Sequence, residues 1–570
     1  MNLDDCIATH WDAIVVGTGI GGSTVGYALA KNGHKVLFVE KGPFFHGRCC
    51  RFSDLHHTLV ATALTGAGDA CPPPEMPTTE DQVYPGFATL RSGGRELRFQ
   101  LPLGHGSGGS SRIYGGALER FWPVDFSPDM GQVASDQKTA APSWPIPYEE
   151  FTKYYEVAER IFGVTGSPDP LYPGAPAPLK EPFSLDPHGE SLIAELKSRG
   201  LHPYRGHLGW REERCPGRHT GCASCNCPIT PIQDAAVACL IPALRNHDAF
   251  LLANCSVKHI DASREAVRSI VCSVGDSSFK LTAQRFFLAC GAFVTPALLQ
   301  RSRSTDWPLG IGNDHDLVGR YLMFHGGHFL LIGGRQLAPS KLAQKTLALN
   351  DYYVHDGQKL GTLQTLGIRL STGQIMSYIR HYADSRHHWY LVALRSKPAW
   401  LRKVFSPAVR VLATVAIMAL RLDRATIWAT IVEDFPNANN RVYFSPEKPD
   451  DVILEYEYSA DLRGRTKKLV ELIEQALSPI RVRKLSSEDK IDFPHVCGTC
   501  RFGKDPRDSV LDSNNRIHGM SNLYVVDASF FPSSGGTNPS LTIAANALRV
   551  ADSIQAESTD IIEPAAQRAT

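Results

Sequence analysis

The sequence predicts an α/β fold, and two features at opposite ends of the chain carry this prediction. Asp12–Val16 and Lys35–Val39 are short apolar runs, and the residues between them form a glycine-rich turn and a stretch with helical periodicity. Leu523–Val526 reads as a further strand, followed by a Gly/Ser loop and a helix from Pro539. Because strands at both ends are expected to share one parallel sheet, we predict a Rossmann-like domain built from discontinuous segments. An α+β lobe with an antiparallel sheet is expected to interrupt it.

Length and composition are those of a globular protein with more than one structural unit. The chain has 570 residues, of which 43% are hydrophobic and 21% are charged, whereas single hydrophobic cores stop growing at about 250–300 residues. The formal net charge of +1 offers no bulk attraction for a polyanion, so we expect no nucleic-acid partner.

The composition also predicts a soluble cytoplasmic protein. The N-terminal residues lack the basic segment and apolar stretch of a secretory signal. The longest strongly apolar run, Val411–Leu420, has ten residues, about half the length of a membrane-spanning helix. Fourteen cysteines without a signal indicate mostly reduced thiols. Export together with a partner protein stays open.

The glycine-rich turn has the spacing of a dinucleotide-binding fingerprint. Gly17, Gly19 and Gly22 form G-x-G-x-x-G between a strand and a helix, and Glu40 ends the next strand. The first glycine permits the tight turn, the second lets the backbone approach a pyrophosphate, and the third lets helix and strand pack closely. The helix N-terminus then directs N–H groups at the phosphates, and Glu40 would accept hydrogen bonds from ribose hydroxyls. The acid disfavours a 2′-phosphate but leaves NAD and FAD as alternatives.

A family resemblance appears in the C-terminal region, where His-Val-Cys-Gly-Thr-Cys precedes Gly-Gly-Thr-Asn-Pro-Ser-Leu-Thr. This region closely resembles the C-terminal signature of the glucose–methanol–choline (GMC) family of FAD-dependent oxidoreductases. Three earlier segments are similar to other motifs of the family and occur in the family's order. The matching segments are 104–116, 288–302, 317–325, 495–503, 522–532 and 535–547. The resemblance implies that the dinucleotide is FAD.

The resemblance also implies which residues contact FAD. The fingerprint glycines would lie at the pyrophosphate, Glu40 at the adenosine ribose, and Asp527 at the pyrophosphate–ribityl part. Val257 would contact the adenine through its backbone, or it is an ordinary core residue of a strand. The residues implied along the ribityl chain and flavin are Gly109, Ser110 and Ser111. Relatives that bind flavin covalently carry a histidine where this chain has Arg112, so we expect non-covalent FAD.

His495 and Asn538 match the active-site pair of the family. By this resemblance, His495 would act as acid/base on the substrate hydroxyl while a hydride leaves the carbinol carbon for flavin N5, and Asn538 would hold the substrate oxygen. The unperturbed histidine pKa of about 6.5 suits that task near neutral pH. Asn538 and Pro539 also suit the start of a helix, whose positive end would face the flavin. Some members have a second histidine where this chain has Asn538, so one ring base is expected.

These expectations describe an FAD-dependent oxidoreductase that oxidises a CH–OH group of a small-molecule alcohol. The alternative is a lyase of the same fold, of the cyanohydrin-lyase type, which keeps FAD without net redox chemistry. A binding-only flavoprotein is disfavoured because His495 and Asn538 are both present. Sugars, sterols and other primary or secondary alcohols all stay open as substrates, and dioxygen or a redox carrier as the electron acceptor.

The positions of the motifs give the expected domain boundaries. The FAD-binding domain is expected to be discontinuous, with the substrate-binding lobe and its inserts between its segments. The FAD-binding segments are 1–122, 220–325 and 491–555, and the lobe segments are 123–219 and 326–490. Residues 556–570 are expected to form a frayed tail.

Three other patterns have simpler explanations than the functional ones they suggest. A cysteine cluster between residues 215 and 227 could bind zinc or an iron–sulfur cluster, but its spacing matches no standard motif, so no metal is expected. Its members are Cys215, Cys222, Cys225 and Cys227. Cys497 and Cys500 form C-x-x-C without a thioredoxin-like context and are expected to fill space. The apolar stretch Ala408–Leu422 could lie on a membrane surface, but a buried helix is favoured.

Overall fold

The computed structural model describes both ends of the chain and most of its middle. The described residues are 3–44, 83–127, 143–175, 177, 179–210, 232–334, 336–339, 345–367, 424–448, 450–485 and 495–567. The cysteine cluster at 215–227 and the apolar stretch Ala408–Leu422 lie outside these residues, so their interpretations stay predictions.

The described part of the chain alternates helices with strands. The helices are α1 (Leu3–Ala8), α2 (Ile20–Lys31), α3 (Tyr148–Phe162), α4 (Pro187–Ser198), α5 (Ile241–Asn246), α6 (Val294–Arg301), α7 (Ala460–Leu477) and α8 (Ser540–Gln567). The strands are β1 (Trp11–Val16), β2 (Val36–Val39), β3 (Phe87–Ser92), β4 (Arg95–Gln100), β5 (Tyr204–Arg205), β6 (Ala249–Leu252), β7 (Ser256–Ala262), β8 (Val267–Val274), β9 (Ser277–Leu281), β10 (Ala283–Leu288), β11 (Phe329–Gly333), β12 (Leu347–Leu349), β13 (Val354–His355), β14 (Gln358–Lys359), β15 (Thr362–Thr365), β16 (Ala425–Ile431), β17 (Arg441–Phe444), β18 (Val452–Glu455), β19 (Arg481–Lys484) and β20 (Leu523–Val525).

A five-stranded parallel sheet joins the two ends of the chain, with strand order β20-β10-β1-β2-β6. All four strand pairs are parallel. β2 is buried along its whole length, and β1 at every residue except the half-buried Asp12, as expected for strands covered on both faces. The predicted Rossmann-like sheet built from distant segments is therefore confirmed.

Two glycines let helix α2 approach this sheet closely. A Cβ added to Gly22 would lie 2.1 Å from the carbonyl oxygen of Gly17, and one added to Gly21 would lie 2.0 Å from that of Val526, just after β20. Neither backbone oxygen has room to move, so only glycine fits at these positions. The close packing holds the N-terminus of α2 at the carboxyl ends of the central strands.

The second lobe is built on a six-stranded antiparallel sheet, with strand order β19-β11-β16-β15-β12-β5. Helix α7 packs on this sheet and begins where the Ser459 hydroxyl accepts a hydrogen bond from the Leu462 N–H (3.0 Å). Its apolar face shares a core with Leu330, Leu363 and Trp428 of the strands. The lobe therefore has the α+β character that the sequence predicts.

A four-stranded sheet of order β17-β18-β3-β4 connects the two parts. The β3–β4 hairpin comes from the segment that we assigned to the FAD-binding domain, but β3 pairs in parallel with β18 of the lobe, with Ala88 beside Val452. The hairpin therefore links the predicted domains, whose boundaries stay predictions.

The C-terminal helix is longer than expected. α8 continues to Gln567, through most of the 556–570 segment that we expected to fray. Residues 555–557 are glutamine, alanine and glutamate, which all favour helix and support its continuation past residue 555. Among the described residues, no helix combines the length and the apolar character needed to cross a bilayer.

Candidate active site

A cavity of about 1110 Å³ opens at the carboxyl ends of β1, β2 and β10. Ligands of open parallel sheets bind at this edge, and the volume exceeds the ~300–1,000 Å³ typical of small-molecule pockets. The predicted site residues that line it are Gly17, Gly19, Glu40, Gly109, Ser110, Ser111, Val257, His495, Asp527, Asn538 and Pro539. Gly22 is not part of the wall, because it packs against Gly17 behind it.

The fingerprint turn forms one end of this cavity. Gly17 has φ of 98°, and a Cβ there would lie 2.5 Å from the Ala289 carbonyl oxygen, so the turn requires glycine. Gly19 precedes α2 in an extended conformation, and a Cβ on Gly19 would meet no protein atom within 4 Å. Gly19 thus leaves open space in front of the helix N-terminus.

Glu40 is held in place by the turns on either side of it. Its Oε2 accepts hydrogen bonds from the Thr18 N–H (3.0 Å) and the Thr18 hydroxyl (2.6 Å), and its Oε1 accepts one from the Gly42 N–H (2.9 Å). The carboxylate is therefore oriented on the cavity wall, and its Oε1, which accepts one hydrogen bond, keeps a further lone pair for a ligand hydroxyl.

The second glycine loop packs on the first. The Gly108 N–H donates to the Thr18 hydroxyl oxygen (3.3 Å), and a Cβ on Gly109 would lie 3.1 Å from the Cα of Gly19. Both serines serve the fold of this loop, because Ser110 Oγ accepts from the Gly104 N–H (3.1 Å) and Ser111 Oγ donates to the Gly108 carbonyl (2.6 Å). Both serines line the cavity, and their contacts with a cofactor stay predictions.

Asp527 and Val257 also have partners within the protein. Asp527 Oδ2 accepts from the Gly291 N–H (2.9 Å) and Oδ1 from the Ser529 N–H (2.9 Å), so its carboxylate ties β10 to the C-terminal loop. The Val257 carbonyl accepts from Arg301 Nη2 (2.9 Å). Both residues reach the wall of the cavity, and their contacts with a cofactor stay predictions.

The glycine turns and the cavity fit a dinucleotide. Because Gly19 has no side chain, its backbone is open to the space beside the N-terminus of α2, and a helix N-terminus favours phosphate oxygens. Arg112 is buried at the position where covalent relatives carry a histidine. The wall that continues from this turn toward α8 would accommodate the rest of an FAD molecule.

The opposite end of the cavity brings His495 and Asn538 together. Asn538 Nδ2 lies 3.2 Å from His495 Nε2, and the Oδ1 of Asn538 is buried with no hydrogen-bond partner among the described residues. His495 has φ of 68°, a conformation that few residues other than glycine adopt outside functional or strained sites. The sequence prediction that these two residues share one site agrees with this geometry.

Helix α8 starts beside this pair, one residue later than predicted. Its first residue is Ser540, and the Ile543 N–H donates to the Pro539 carbonyl (3.0 Å). A shift of one residue is within the ordinary uncertainty of a helix boundary. The positive end of the helix dipole therefore faces the cavity next to Asn538.

Sequence reasoning missed two side chains at this end of the cavity. His325 Nδ1 lies 3.1 Å from His495 Nδ1, and Lys345 is buried in the cavity wall. The position of His325 at the end of the 317–325 motif was the only sequence feature that could have indicated its role in the site. Lys345 belongs to no motif, and no sequence feature indicated its role.

These neighbours keep His495 uncharged. Burial, the His325 ring and the Lys345 ammonium all lower the pKa of His495 well below its ordinary value. Burial also lowers the pKa of His325 to about 4. Both rings are therefore neutral near pH 7, and an uncharged imidazole can act as a base.

Comparisons with known proteins match three parts of the chain to family models. Two family models described as GMC oxidoreductase match residues 206–326 and 436–547. A model described as an NAD(P)-binding Rossmann-like domain matches residues 15–69.

The relatives match over nearly the whole chain. Paromamine 6′-oxidase of Streptomyces fradiae is 28% identical, covering 95% of this chain and 91% of the relative. 2-Methyl-1,2-propanediol dehydrogenase of Mycolicibacterium austroafricanum is 25% identical, covering 98% and 97%. The large subunit of fructose dehydrogenase of Gluconobacter japonicus is 24% identical, covering 95% and 97%.

A solved structure shares the fold. Pyridoxine 4-oxidase from Mesorbium loti matches with a TM-score of 0.61 at 20% identity, covering 95% of this chain and 99% of that one. The order of the sequence motifs, the discontinuous parallel sheet and these matches agree with one another. The chain belongs to the GMC oxidoreductase family.

Proposed function

We propose that the protein is an FAD-dependent oxidoreductase that converts a CH–OH group of a small alcohol into a carbonyl group. The observation that carries the proposal is the arrangement in the cavity wall, where the Nε2 of a neutral His495 and the amide Nδ2 of Asn538, which can donate to a substrate oxygen, lie 3.2 Å apart. The dinucleotide cradle opens into the same cavity. A base and an oxygen-binding group beside a hydride acceptor are what alcohol oxidation requires.

The two residues would divide the work on the substrate. FAD, when bound, supplies the acceptor for the hydride that leaves the carbinol carbon. His495 Nε2 takes the hydroxyl proton, so the O–H bond breaks as the N–H bond forms. Asn538 binds the substrate oxygen with its amide and holds it within reach of that nitrogen. The neutral state of His495 makes it available as a base at pH 7 without prior deprotonation.

The substrate-facing walls mix polar and apolar groups. Phe329, Leu366 and Ile431 supply apolar surface, while Gln364 and Lys345 supply polar groups. Such walls suit a small alcohol with both polar and apolar parts. The relatives are named as oxidases and dehydrogenases, one of them of a propanediol and one of fructose, and these names favour oxidation over the lyase alternative. The electron acceptor is proposed to be dioxygen or a redox carrier.

An anaerobic spectral titration tests the reaction class. The purified protein should show the absorption bands of oxidised flavin, and addition of the correct alcohol from a panel of primary and secondary alcohols should bleach them. Reoxidation in air would then indicate an oxidase. A colourless protein that takes up no added FAD would contradict the proposal.

Two variants test the assigned residues in the same assay. His495→Ala should retain FAD and lose turnover by a factor of about 10² or more. Asn538→Ala should lower turnover and raise KM, because the substrate oxygen loses its partner. Unchanged turnover of His495→Ala would remove this residue from the mechanism.

The attachment of FAD is proposed to be non-covalent, since Arg112 cannot form the histidyl–flavin bond. Acid precipitation should leave the flavin in the supernatant. Flavin that stays with the precipitate would contradict this part of the proposal.

A further inference from the structure

We infer that His325 is a positioning residue whose ring fixes the proton of His495 on Nδ1 and so directs the lone pair of His495 Nε2 into the cavity. The inference rests on the proposed role of His495 as the base. It concerns a contact between two histidines that are far apart in the sequence, one at the end of the 317–325 motif and one in the C-terminal signature.

The hydrogen bonds that connect Gly535, His325 and His495 begin at a backbone carbonyl, which can only accept a hydrogen bond. The carbonyl oxygen of Gly535 lies 2.9 Å from His325 Nε2, so Nε2 of His325 carries the hydrogen and donates it. A neutral imidazole has one N–H. Nδ1 of His325 therefore has a lone pair and can only accept a hydrogen bond.

The accepting Nδ1 of His325 determines where His495 carries its hydrogen. His325 Nδ1 lies 3.1 Å from His495 Nδ1, so the hydrogen between them belongs to His495. His495 Nε2 is consequently without a hydrogen, and it accepts from the amide Nδ2 of Asn538 at 3.2 Å. A substrate hydroxyl that replaces this donor would donate to His495 Nε2, while Asn538 Nδ2 donates to the substrate oxygen.

Both rings must be neutral for this order of protons, and their surroundings favour the neutral state. Burial lowers the pKa of both rings, and Lys345 lowers that of His495 further, while Glu433 acts in the opposite direction on His325. Two more groups face the pair from other elements. The Tyr458 hydroxyl donates to the His325 carbonyl (3.3 Å), and Arg463 lines the same cavity.

The hydrogen bond between the two histidines is retained when a substrate proton is transferred to His495. When His495 Nε2 takes the substrate proton, Nδ1–H continues to donate to His325, so no side chain has to move. Because the Gly535 carbonyl cannot take up a proton, the positive charge stays within the hydrogen-bonded pair of His495 and His325. His325 therefore acts through His495 and does not touch the substrate.

Three variants of His325 test the inference against His188→Gln as a matched control. His188 is a buried histidine that bonds Ala338 and Thr426 and does not line the cavity. FAD content, kcat, KM and the pH profile of kcat/KM are measured for each variant. The control should match the wild type in kcat and pH profile.

The expected results differ among the variants. His325→Ala should keep FAD and lose kcat by about 10- to 100-fold with little change in KM, as is usual when an orienting partner is removed. His325→Gln should recover most of this loss, because its amide oxygen can accept the Nδ1–H bond. His325→Asp should move the acid limb of kcat/KM to higher pH, since a carboxylate favours protonated His495.

The results for His325→Ala and His495→Ala together distinguish a failure of the positioning role of His325 from a failure of the proposed function. If His325→Ala has wild-type kcat and pH profile while His495→Ala is inactive, the inference is overturned and the proposed function stands. If His495→Ala is also fully active, the proposed function itself fails. Should His325→Ala not fold, His325→Gln decides, because a folded, FAD-loaded Gln variant with kcat at least 100-fold reduced would also overturn the inference.

Discussion

Substitution of two glycines in the same turn should separate cofactor binding from fold stability. In the absence of a ligand, a Cβ added to Gly19 would have no protein atom within 4 Å, whereas a Cβ added to Gly22 would lie 2.1 Å from the Gly17 carbonyl oxygen and 2.9 Å from Ala289 Cβ. Gly19→Ala is therefore expected to fold and to obstruct the ligand. Gly22→Ala is expected to damage the turn itself.

The magnitudes follow from these distances. Gly19 has a negative φ that alanine adopts freely, so the loss of a good N-cap and the gain in chain entropy should change the free energy of unfolding of the apoprotein by less than about 1 kcal/mol. A methyl group against the pyrophosphate resembles overpacking of a filled site, which costs about 1–3 kcal/mol, or a ~5- to ~150-fold weaker affinity for FAD. Gly22→Ala should lower the stability of the apoprotein by about 3 kcal/mol, because both obstructing groups are parts of the backbone or fixed to it.

The assay measures the two quantities separately. FAD is removed, the Tm of each apoprotein is determined, and FAD is titrated back while its fluorescence is followed. Gly464→Ala is the control, because Gly464 is exposed in α7 and a Cβ there also meets no atom within 4 Å. A Gly19→Ala protein that binds FAD as tightly as the wild type would refute the placement of the pyrophosphate at this turn.

Two further predictions concern buried charge. Arg120 and Glu159 form a bidentate ion pair (both contacts 2.6 Å) with side chains 4% and 1% exposed, so Arg120→Met should lower the free energy of unfolding by about 3–5 kcal/mol in a denaturant titration. Lys467→Ala is its control, because the pair with Glu471 is exposed and should contribute less than about 0.5 kcal/mol; equal losses would contradict the reasoning. Burial raises the pKa of Asp434 to about 7 from 3.8, so the folded protein retains this proton over a range in which the unfolded chain has lost it, and stability should fall as pH rises from about 4 to 7. Asp434→Asn should flatten that part of the Tm-against-pH curve, and an unchanged slope would exclude Asp434 as its source.

The sequence was sufficient for the parallel sheet and for the glycine turn at its edge, because both depend on local patterns. Apolar runs and glycine spacing place Gly17, Gly19 and Glu40 at strand ends, and parallel strands meet at one edge of a sheet. The position of α8 followed in the same way from Asn538 and Pro539. These features need no knowledge of which distant residues touch.

The contacts within the site could not be predicted, because they join segments far apart in the chain. The sequence indicated that His325 ended a motif, but the 3.1 Å distance between its ring and His495 depends on how the lobe packs on the parallel sheet. The serines of the second glycine loop have a further role that their motif did not indicate. Ser110 and Ser111 use their hydroxyls to hold the loop, and their contacts with a cofactor stay predictions.

The loop before Asn538 connects the second lobe to His495, the proposed base, through hydrogen bonds. The Asp434 N–H donates to the Ser534 hydroxyl (2.8 Å), and the Gly536 N–H donates to the Tyr353 hydroxyl (3.2 Å), which in turn donates to Asp125 (2.6 Å). Between these two anchors lies Gly535, whose carbonyl sets the protons of both histidines. The lobe that we propose to contact the substrate therefore also holds the Gly535 carbonyl, on which the inferred tautomer of His495 depends. A movement of the lobe would alter the base and the binding wall together.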